Sequence, residues 1–191
     1  MSLIGQKAPD FTAQTVMEDG TITELNLHDY LGGDYGLVFF YPLDFTFVCP
    51  TELHAFQEKL GEFEKRGAQV IGCSVDSAFS HLAWVNTPKA KGGIEGVSYP
   101  LVADLNKNIA RDYQVLDEEA GIAFRGLFLM DKEHIIRHQL VNDLPLGRSV
   151  DEALRLLDAL IFHEKNGSDI VCWFGPRGLQ RPRDLGRQRQ D

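Results

Sequence analysis

The segment GLVFFYPLDFTFVCPTE, residues 36–52, carries the strongest fold signal in this sequence. Its first six residues are apolar without alternation, which is typical of a short strand covered on both faces. Pro50 suits the first turn of a helix, where its missing backbone N–H is not needed, so Cys49 is predicted at or beside a helix N-terminus. The segment therefore predicts a buried strand, a loop and the start of a helix.

The residues that follow extend this pattern into a larger unit. Four apolar residues recur at helical spacing, with charged residues on the opposite side: Leu53, Phe56, Leu60 and Phe63. A second apolar run without alternation then covers residues 68–75. Strand, helix and strand in this order form a βαβ unit, whose parallel strands require a central sheet covered by helices.

The second half of the chain adds a hairpin and a long helix. Residues 124–130 and 135–141 are strand-like and are separated by a short polar turn, which predicts an antiparallel pair. Ser149 and Glu152 have capping-box spacing, and apolar residues at helical spacing follow until about Gly167. We therefore predict an α/β fold with a mixed central sheet flanked by helices.

Composition restricts the possible classes of partner. The 191 residues are 43% hydrophobic and 25% charged, as expected for one folded domain with a terminal extension. A net charge of −9 disfavours nucleic acids and anionic membranes, which bind clustered Lys and Arg. Residues 177–191 differ, because they hold five Arg against two Asp, a net charge of +3, and are predicted to be extended and solvated.

Neither a secretory leader nor a membrane span is predicted. The first residues lack the apolar region of a signal peptide, and the strongest apolar run is far shorter than the roughly 20 residues that a bilayer requires. We expect a cytoplasmic protein. In that reducing compartment, three cysteines indicate reactive or merely buried thiols rather than structural disulfides.

Cys49 is the strongest candidate for chemistry. The end of a buried strand is where α/β sheets place their sites, and a helix N-terminus favours a thiolate over a thiol. The position three residues further on is Glu52, so a local Cys-x-x-Cys disulfide is excluded. Cys172, in the irregular stretch after the last helix, is one candidate for a distant partner. Cys73 lies in the middle of a predicted strand and is interpreted as a packing residue.

Pro42, Thr46 and Cys49 together form the string Pro-x-x-x-Thr-x-x-Cys, which resembles the active-site motif of peroxiredoxins. The flanking residues resemble the typical two-cysteine, AhpC-type subfamily. Further similar segments are residues 72–77, 81–84, 100–104, 125–128 and 141–152, so that the resemblance extends from about residue 4 to Cys172. This resemblance implies a thioredoxin-like fold and a thiol-dependent peroxidase acting on hydrogen peroxide and organic hydroperoxides.

The resemblance also implies roles for individual residues. Cys49 would be the thiolate that attacks peroxide, Thr46 would hydrogen-bond the bound peroxide, and Pro42 would shield the sulfur from water. Arg125 would be the catalytic cation, since a guanidinium can stabilise both the thiolate and the oxygens of the breaking bond. Glu52 and Arg148 would form the pair that orients it.

Disulfide closure and assembly are likewise implied by the resemblance. Cys172 of the other subunit of a homodimer would condense with oxidised Cys49, and a thioredoxin-like or AhpF-like reductant would reopen the disulfide. Five dimers would be able to form a decamer. The chain departs from the family at its end, where the usual Val-Cys-Pro is Val171-Cys172-Trp173 and the Arg-rich tail has no counterpart. The predicted domains are a peroxiredoxin domain, residues 1–165, and an extension, residues 166–191.

No cofactor and no metal are expected. His134 and His138 are predicted in or beside a strand, where four residues span roughly 13 Å, too far for a shared metal ion. Residues 92–96 lack the glycine pattern of a dinucleotide-binding loop. Two alternatives to a peroxidase remain open, namely a chaperone-like holdase on the same scaffold and a peroxide sensor that oxidises a client protein.

Overall fold

The computed structural model describes residues 2–46, 49–167, 174–175 and 178–179. The chain forms two compact units, residues 1–150 and residues 151–191. Among its described residues, the first unit has nine strands: β1 Thr12–Val16, β2 Ile22–Asn26, β3 Tyr35–Phe40, β4 Ala68–Ser74, β5 Leu101–Ala103, β6 Leu116–Asp117, β7 Ile122–Ala123, β8 Arg125–Met130 and β9 Ile136–Asn142. Its helices are α1 Leu27–Leu31, α2 Cys49–Glu64, α3 Ala78–Val85 and α4 Asn108–Asp112, with a 3-10 turn at Lys89–Lys91.

A seven-stranded mixed sheet organises the first unit, in the order β2-β1-β5-β4-β3-β8-β9. Strand β3 pairs in parallel with β4 and antiparallel with β8, while β8 and β9 form an antiparallel hairpin. The predicted βαβ unit, hairpin and mixed sheet are thus confirmed. All six residues of β3 are buried, which explains why its sequence shows no alternation.

Successive side chains of β3 anchor opposite faces of the sheet. Phe39 stacks on Phe56 of α2, with 4.3 Å between ring centroids. Phe40 packs on the other side against Tyr113 and Phe128, at 5.2 and 5.9 Å between centroids. The apolar residues of α2 therefore recur at helical spacing because they form the side of the helix that packs on this face of the sheet.

The N-terminal hairpin of β1 and β2 was not predicted from the sequence. The two strands are half-exposed and contain several polar residues, so their apolar signal is weak. Their turn is stabilised locally, because Asp19 accepts hydrogen bonds from the backbone and hydroxyl of Thr21, and Gly20 adopts a φ of +79°. Strand β1 then joins the sheet by pairing with β5.

Helix α5 spans Val150–Asn166; Val150 is the last residue of the first unit, and the rest of the helix belongs to the second unit. Gly167 follows the helix, with a φ of +68° that suits glycine, and its N–H donates to the carbonyl of His163 at 2.9 Å. Two short strands, β10 Phe174–Gly175 and β11 Gly178–Leu179, pair with each other. Cys172 and most of the Arg-rich tail lie outside the described residues.

In the part of the chain that the structure describes, no helix has the length and apolar character needed to cross a membrane.

Candidate active site

The loop that follows β3 leads directly into α2, whose first residue is Cys49. Since β3 and β4 are parallel, this loop lies at the carboxyl end of both strands, and the N–H of Tyr41 donates to the carbonyl of Cys73 at 3.0 Å. Pro42 is buried, and the hydroxyl of Thr46 donates to the carbonyl of Leu43 at 3.1 Å. The three motif residues therefore lie on one loop and at the helix start that terminates it.

A carboxylate holds this loop to the body of the protein. Asp44, which is 7% exposed, accepts hydrogen bonds from the hydroxyls of Tyr41 at 2.9 Å and Ser80 at 2.7 Å. Its Oδ2 also lies 2.8 Å from Nδ1 of His81, a fully buried side chain. In addition, the N–H of Asp44 donates to Asp76 at 2.8 Å. Neither Asp44 nor His81 was assigned a role from the sequence, although His81 lies in one of the segments that resemble the family.

Glu52 lies in the first turn of α2 and binds two arginines, Arg125 and Arg148. Arg148 binds it as a fork, with Nε 2.8 Å from Oε1 and Nη2 2.6 Å from Oε2, and the backbone N–H of Arg148 donates to Oε1 at 2.9 Å. Nη1 of Arg125 donates to Oε2 at 3.0 Å. All three side chains are nearly inaccessible to water, with exposures between 0% and 4%.

The two arginines are held by backbone carbonyls as well. Nη1 of Arg148 donates to the carbonyl of Phe40 at 2.7 Å and to that of Gly126, and its guanidinium lies over the ring of Phe39. Nε of Arg125 donates to the carbonyl of Leu144 at 2.6 Å. Arg125 begins β8, which runs antiparallel to β3, so it lies beside the carboxyl end of β3.

The electrostatic balance of this cluster is positive. Burial raises the pKa of Glu52, but the hydrogen bonds and charge of Arg148, followed by the charge of Arg125, outweigh it and lower the pKa below its ordinary value. Glu52 is therefore ionised at neutral pH, and one carboxylate with two guanidiniums leaves a net charge of about +1 in a buried environment. Such a charge favours an anion at the start of α2 and adds to the effect of the helix N-terminus.

The structure thus brings Glu52, Arg125 and Arg148 into one cluster beside the loop that carries Pro42 and Thr46. The remaining candidate, Cys172, is outside the described residues.

Cys73 lies within a strand rather than at a helix start. It is fully buried in β4, and burial, together with the negative charge of Asp104, raises the pKa of its thiol well above the ordinary value. A thiol of this kind remains protonated at neutral pH and is a poor nucleophile. Its interpretation as a packing residue agrees with this environment.

The described residues contain no group of three or more His, Cys, Asp or Glu side chains able to hold a metal ion. The glycines at 92 and 93 have separate structural reasons: Gly92 adopts a φ of +78° at the end of the 3-10 turn, and a Cβ at Gly93 would lie 1.9 Å from the carbonyl oxygen of Thr87. The carbonyl of Gly92 accepts a hydrogen bond from the indole of Trp84 at 3.0 Å. Backbone conformation therefore accounts for Gly92 and close packing for Gly93.

Comparison with known proteins identifies the family. Residues 4–139 match the model of the AhpC/TSA family. Peroxiredoxin-1 of Gallus gallus is 54% identical over 171 residues, covering 90% of this chain and 84% of the relative, and thioredoxin peroxidase of Echinococcus granulosus is 51% identical, covering 90% and 86%. The reduced 2-Cys peroxiredoxin of Plasmodium vivax superposes with a TM-score of 0.89 at 44% identity, covering 95% of this chain and 93% of that one.

The match spans most of the chain, in sequence and in structure alike. The mixed sheet, flanking helices and site loop described above occur within it. The chain therefore belongs to the AhpC/TSA family and has the thioredoxin-like fold of the two-cysteine peroxiredoxins.

Proposed function

We propose that this protein is a thiol-dependent peroxidase that reduces hydrogen peroxide and organic hydroperoxides through Cys49 and a disulfide between Cys49 and Cys172 of two subunits. The observation that carries the proposal is the buried cluster of Glu52, Arg125 and Arg148 beside the loop that ends at Cys49. A net positive charge next to a helix N-terminus is the environment in which a cysteine ionises below its ordinary pKa of about 8.5. The similarity to a peroxiredoxin and to a thioredoxin peroxidase supports the same activity.

The proposed first step transfers one oxygen atom to sulfur. The Cys49 thiolate attacks the terminal oxygen of the hydroperoxide, the O–O bond breaks, and the leaving oxygen takes a proton to depart as water or an alcohol. The sulfur is oxidised to a sulfenic acid, and the peroxide is reduced by two electrons. The Cys172 thiol then condenses with the sulfenic acid, which releases water and forms the disulfide.

In this proposal Arg125, Thr46 and Pro42 act directly on the peroxide or on the sulfur that it oxidises. Arg125 stabilises the thiolate and donates to the oxygens as negative charge develops on the leaving one. Thr46 offers a hydroxyl to the bound peroxide, and Pro42 excludes water from the sulfur. Glu52 and Arg148 act through Arg125, because Glu52 contacts both guanidiniums.

The second half of the cycle needs a partner subunit and a reductant. We propose a homodimer that is able to assemble into a decamer, with a thioredoxin-like or AhpF-like protein reopening the disulfide by thiol exchange. Strand β9 lies at the end of the seven-stranded sheet, next to β8, and its first residue, Ile136, exchanges backbone hydrogen bonds with Gly5 and Gln6. We propose that the remainder of its outer edge pairs with a second chain. The domain boundary between residues 165 and 166 and the cytoplasmic location remain predictions.

A coupled assay tests the proposal. Wild-type protein with thioredoxin, thioredoxin reductase and NADPH should consume hydrogen peroxide over many turnovers, and Cys49→Ser should lose all but a few per cent of that rate, because a hydroxyl does not ionise usefully near neutral pH. A holdase would show no turnover, and a sensor would react once and then wait.

On a non-reducing denaturing gel, oxidised wild type should run as a dimer and Cys172→Ser as a monomer. Loss of the dimer band in Cys73→Ser instead would show that the wrong resolving thiol has been proposed.

A further inference from the structure

The loop between β9 and Arg148, residues 143–147, contacts the guanidinium of Arg125 through the backbone oxygen of Leu144. The carbonyl of Leu144 accepts the hydrogen bond of Arg125 Nε at 2.6 Å, the shorter of the two bonds described for this guanidinium. The other bond joins Nη1 to Glu52 at 3.0 Å. Because a guanidinium is planar, bonds at Nε and Nη1 together fix its plane and so fix the position of its third nitrogen.

We propose that Asn142 and Asp143 are positioning residues of the peroxidase reaction, which hold the Leu144 carbonyl in place and thereby set the orientation of Arg125. The proposal rests on the function proposed above, because the orientation of Arg125 matters only if Arg125 stabilises the thiolate and the peroxide.

The side chains of Asn142, the last residue of β9, and Asp143, the first residue of the loop, shape the loop from its start. Asn142 lies directly opposite Arg125 in the register of β8 and β9, and its Nδ2 donates to the carbonyls of Leu146 at 3.3 Å and Gly147 at 3.2 Å. Oδ1 of Asp143 accepts the N–H of Leu144 at 2.7 Å. These bonds fold the loop back on itself and turn the Leu144 carbonyl toward Arg125.

Hydrogen bonds matter more in this loop than in the core. Most of residues 141–147 are exposed, and Leu146 is 58% accessible, so little apolar burial holds the loop. Its far end is anchored at Arg148, whose N–H and side chain bind Glu52. Losing the hydrogen bonds donated by the Asn142 side chain therefore lowers the fraction of molecules in which the Leu144 carbonyl accepts a hydrogen bond from Arg125.

A carbonyl has a chemical advantage over a second carboxylate at this place. Arg125 already shares Glu52 with Arg148, and another full negative charge would cancel the net positive charge of the cluster. A neutral acceptor orients the guanidinium and leaves its charge available to the Cys49 thiolate. The loop therefore supplies orientation without electrostatic cost.

The first test replaces Asn142 with alanine in the full-length, reduced protein. Two quantities are measured: the second-order rate of Cys49 oxidation by hydrogen peroxide, and the pH profile of iodoacetamide labelling at the Cys49 peptide. We expect an oxidation rate about two- to tenfold lower and a labelling midpoint at higher pH. Asn86→Ala is the matched control, because Asn86 also donates to a carbonyl, that of Leu82 at 2.9 Å, and contacts neither Arg125 nor Glu52. Its profile should equal that of wild type.

A double-mutant cycle shows whether Asn142 acts through Arg125. Lysine has no Nε–H, so in an Arg125→Lys background the Leu144 carbonyl has no donor at that place to orient. Asn142→Ala should then have no further effect on the rate of oxidation. An equal loss in both backgrounds would mean that Asn142 acts by another route, and the inference would be wrong.

Asp143 provides an independent test that does not depend on the folding of Arg125→Lys. Asp143→Ala removes the acceptor for the Leu144 N–H and should slow oxidation, whereas Asp143→Asn retains an acceptor oxygen and should restore most of the rate. Both variants lose the same charge, so their difference reports the acceptor alone. If wild type turns over peroxide but Asn142→Ala and Asp143→Ala both match it, the inference fails and the proposed function stands. If hydrogen peroxide does not oxidise Cys49 of the reduced wild type, the proposed function itself fails.

Discussion

Replacing Glu52 with glutamine perturbs the active-site cluster without changing its shape. The carboxylate accepts four described hydrogen bonds, two at each oxygen, from Arg125 and from the side chain and backbone of Arg148. A glutamine amide has one acceptor oxygen, so in either orientation its NH₂ group meets two donors at one end. The change also removes the negative charge that pairs with both buried guanidiniums.

The size of the expected loss in the free energy of unfolding follows from this arrangement. Removing one partner of a buried ion pair costs about 3–5 kcal/mol, and a hydrogen bond to a charged group contributes about 1.5–3 kcal/mol. We therefore expect the free energy of unfolding of Glu52→Gln to fall by about 3–5 kcal/mol at pH 7. Urea unfolding of the reduced protein at fixed concentration, followed by tryptophan fluorescence, measures this difference. Glu58→Gln is the control on the same helix, since Glu58 is exposed, and it should change stability by less than about 0.5 kcal/mol.

The pH dependence of this difference gives a second check. The pKa of Glu52 in the folded protein lies below its ordinary value of 4.5, so the carboxylate stabilises the folded state fully above pH 4.5. That stabilisation is lost as the pH falls from 4.5 through the folded-state pKa, where the carboxyl group becomes protonated. The gap between wild type and Glu52→Gln should therefore narrow in this acidic range. A loss at pH 7 no larger than that of Glu58→Gln, or a gap that is constant down to unfolding, would refute the reasoning.

Three further predictions concern the thiols and the tail. Arg125→Ala should slow Cys49 oxidation by orders of magnitude and raise the pH at which iodoacetamide labels Cys49, because a nearby cation is lost, whereas Arg111→Ala at the surface should change neither. Identical labelling profiles for Arg125→Ala and wild type would contradict the electrostatic role. Cys73→Ala should retain the peroxidase rate per folded molecule, since this buried thiol stays protonated, and a loss of turnover in correctly folded protein would assign Cys73 a redox role. Deletion of residues 177–191 should leave turnover nearly intact; if deletion or added salt sharply accelerates disulfide formation, the positively charged tail restrains Cys172 instead.

Several elements could be predicted from the sequence because their signals are local. Strand β3 lacks alternation since both of its faces are covered, and the apolar residues of α2 repeat at the spacing of the face that packs on Phe39. The start of α2 at Cys49 was predicted from Pro50 alone. In contrast, β1 and β2 are short and half-exposed, so their residues carry no clear periodicity, and only pairing with β5 makes them part of the sheet.

The active-site cluster depends on contacts that no local pattern encodes. Glu52 lies 73 residues from Arg125 and 96 residues from Arg148, and only the family resemblance, not a local pattern, named Glu52 and Arg148 as the pair that orients Arg125. The carboxylate of Asp44 meets His81 across 37 residues, and the resemblance assigned neither of them a role. The Leu144 carbonyl could not have been found from residue types, because every residue has a carbonyl and only the path of the loop brings this one to Arg125.

By itself the sequence determined the βαβ unit, the β8–β9 hairpin, the last long helix and the place of Cys49 at a helix start, because periodicity and helix-end signals act within a few residues. The tertiary structure alone decided the order of the strands and, with it, which charged groups lie near that helix start. Antiparallel pairing of β8 with β3 brings Arg125 to the end of β3, and the return of the chain after β9 brings Arg148 onto Glu52. The charge that favours a thiolate therefore arises from segments far apart in the chain, which only the packing of the sheet brings together.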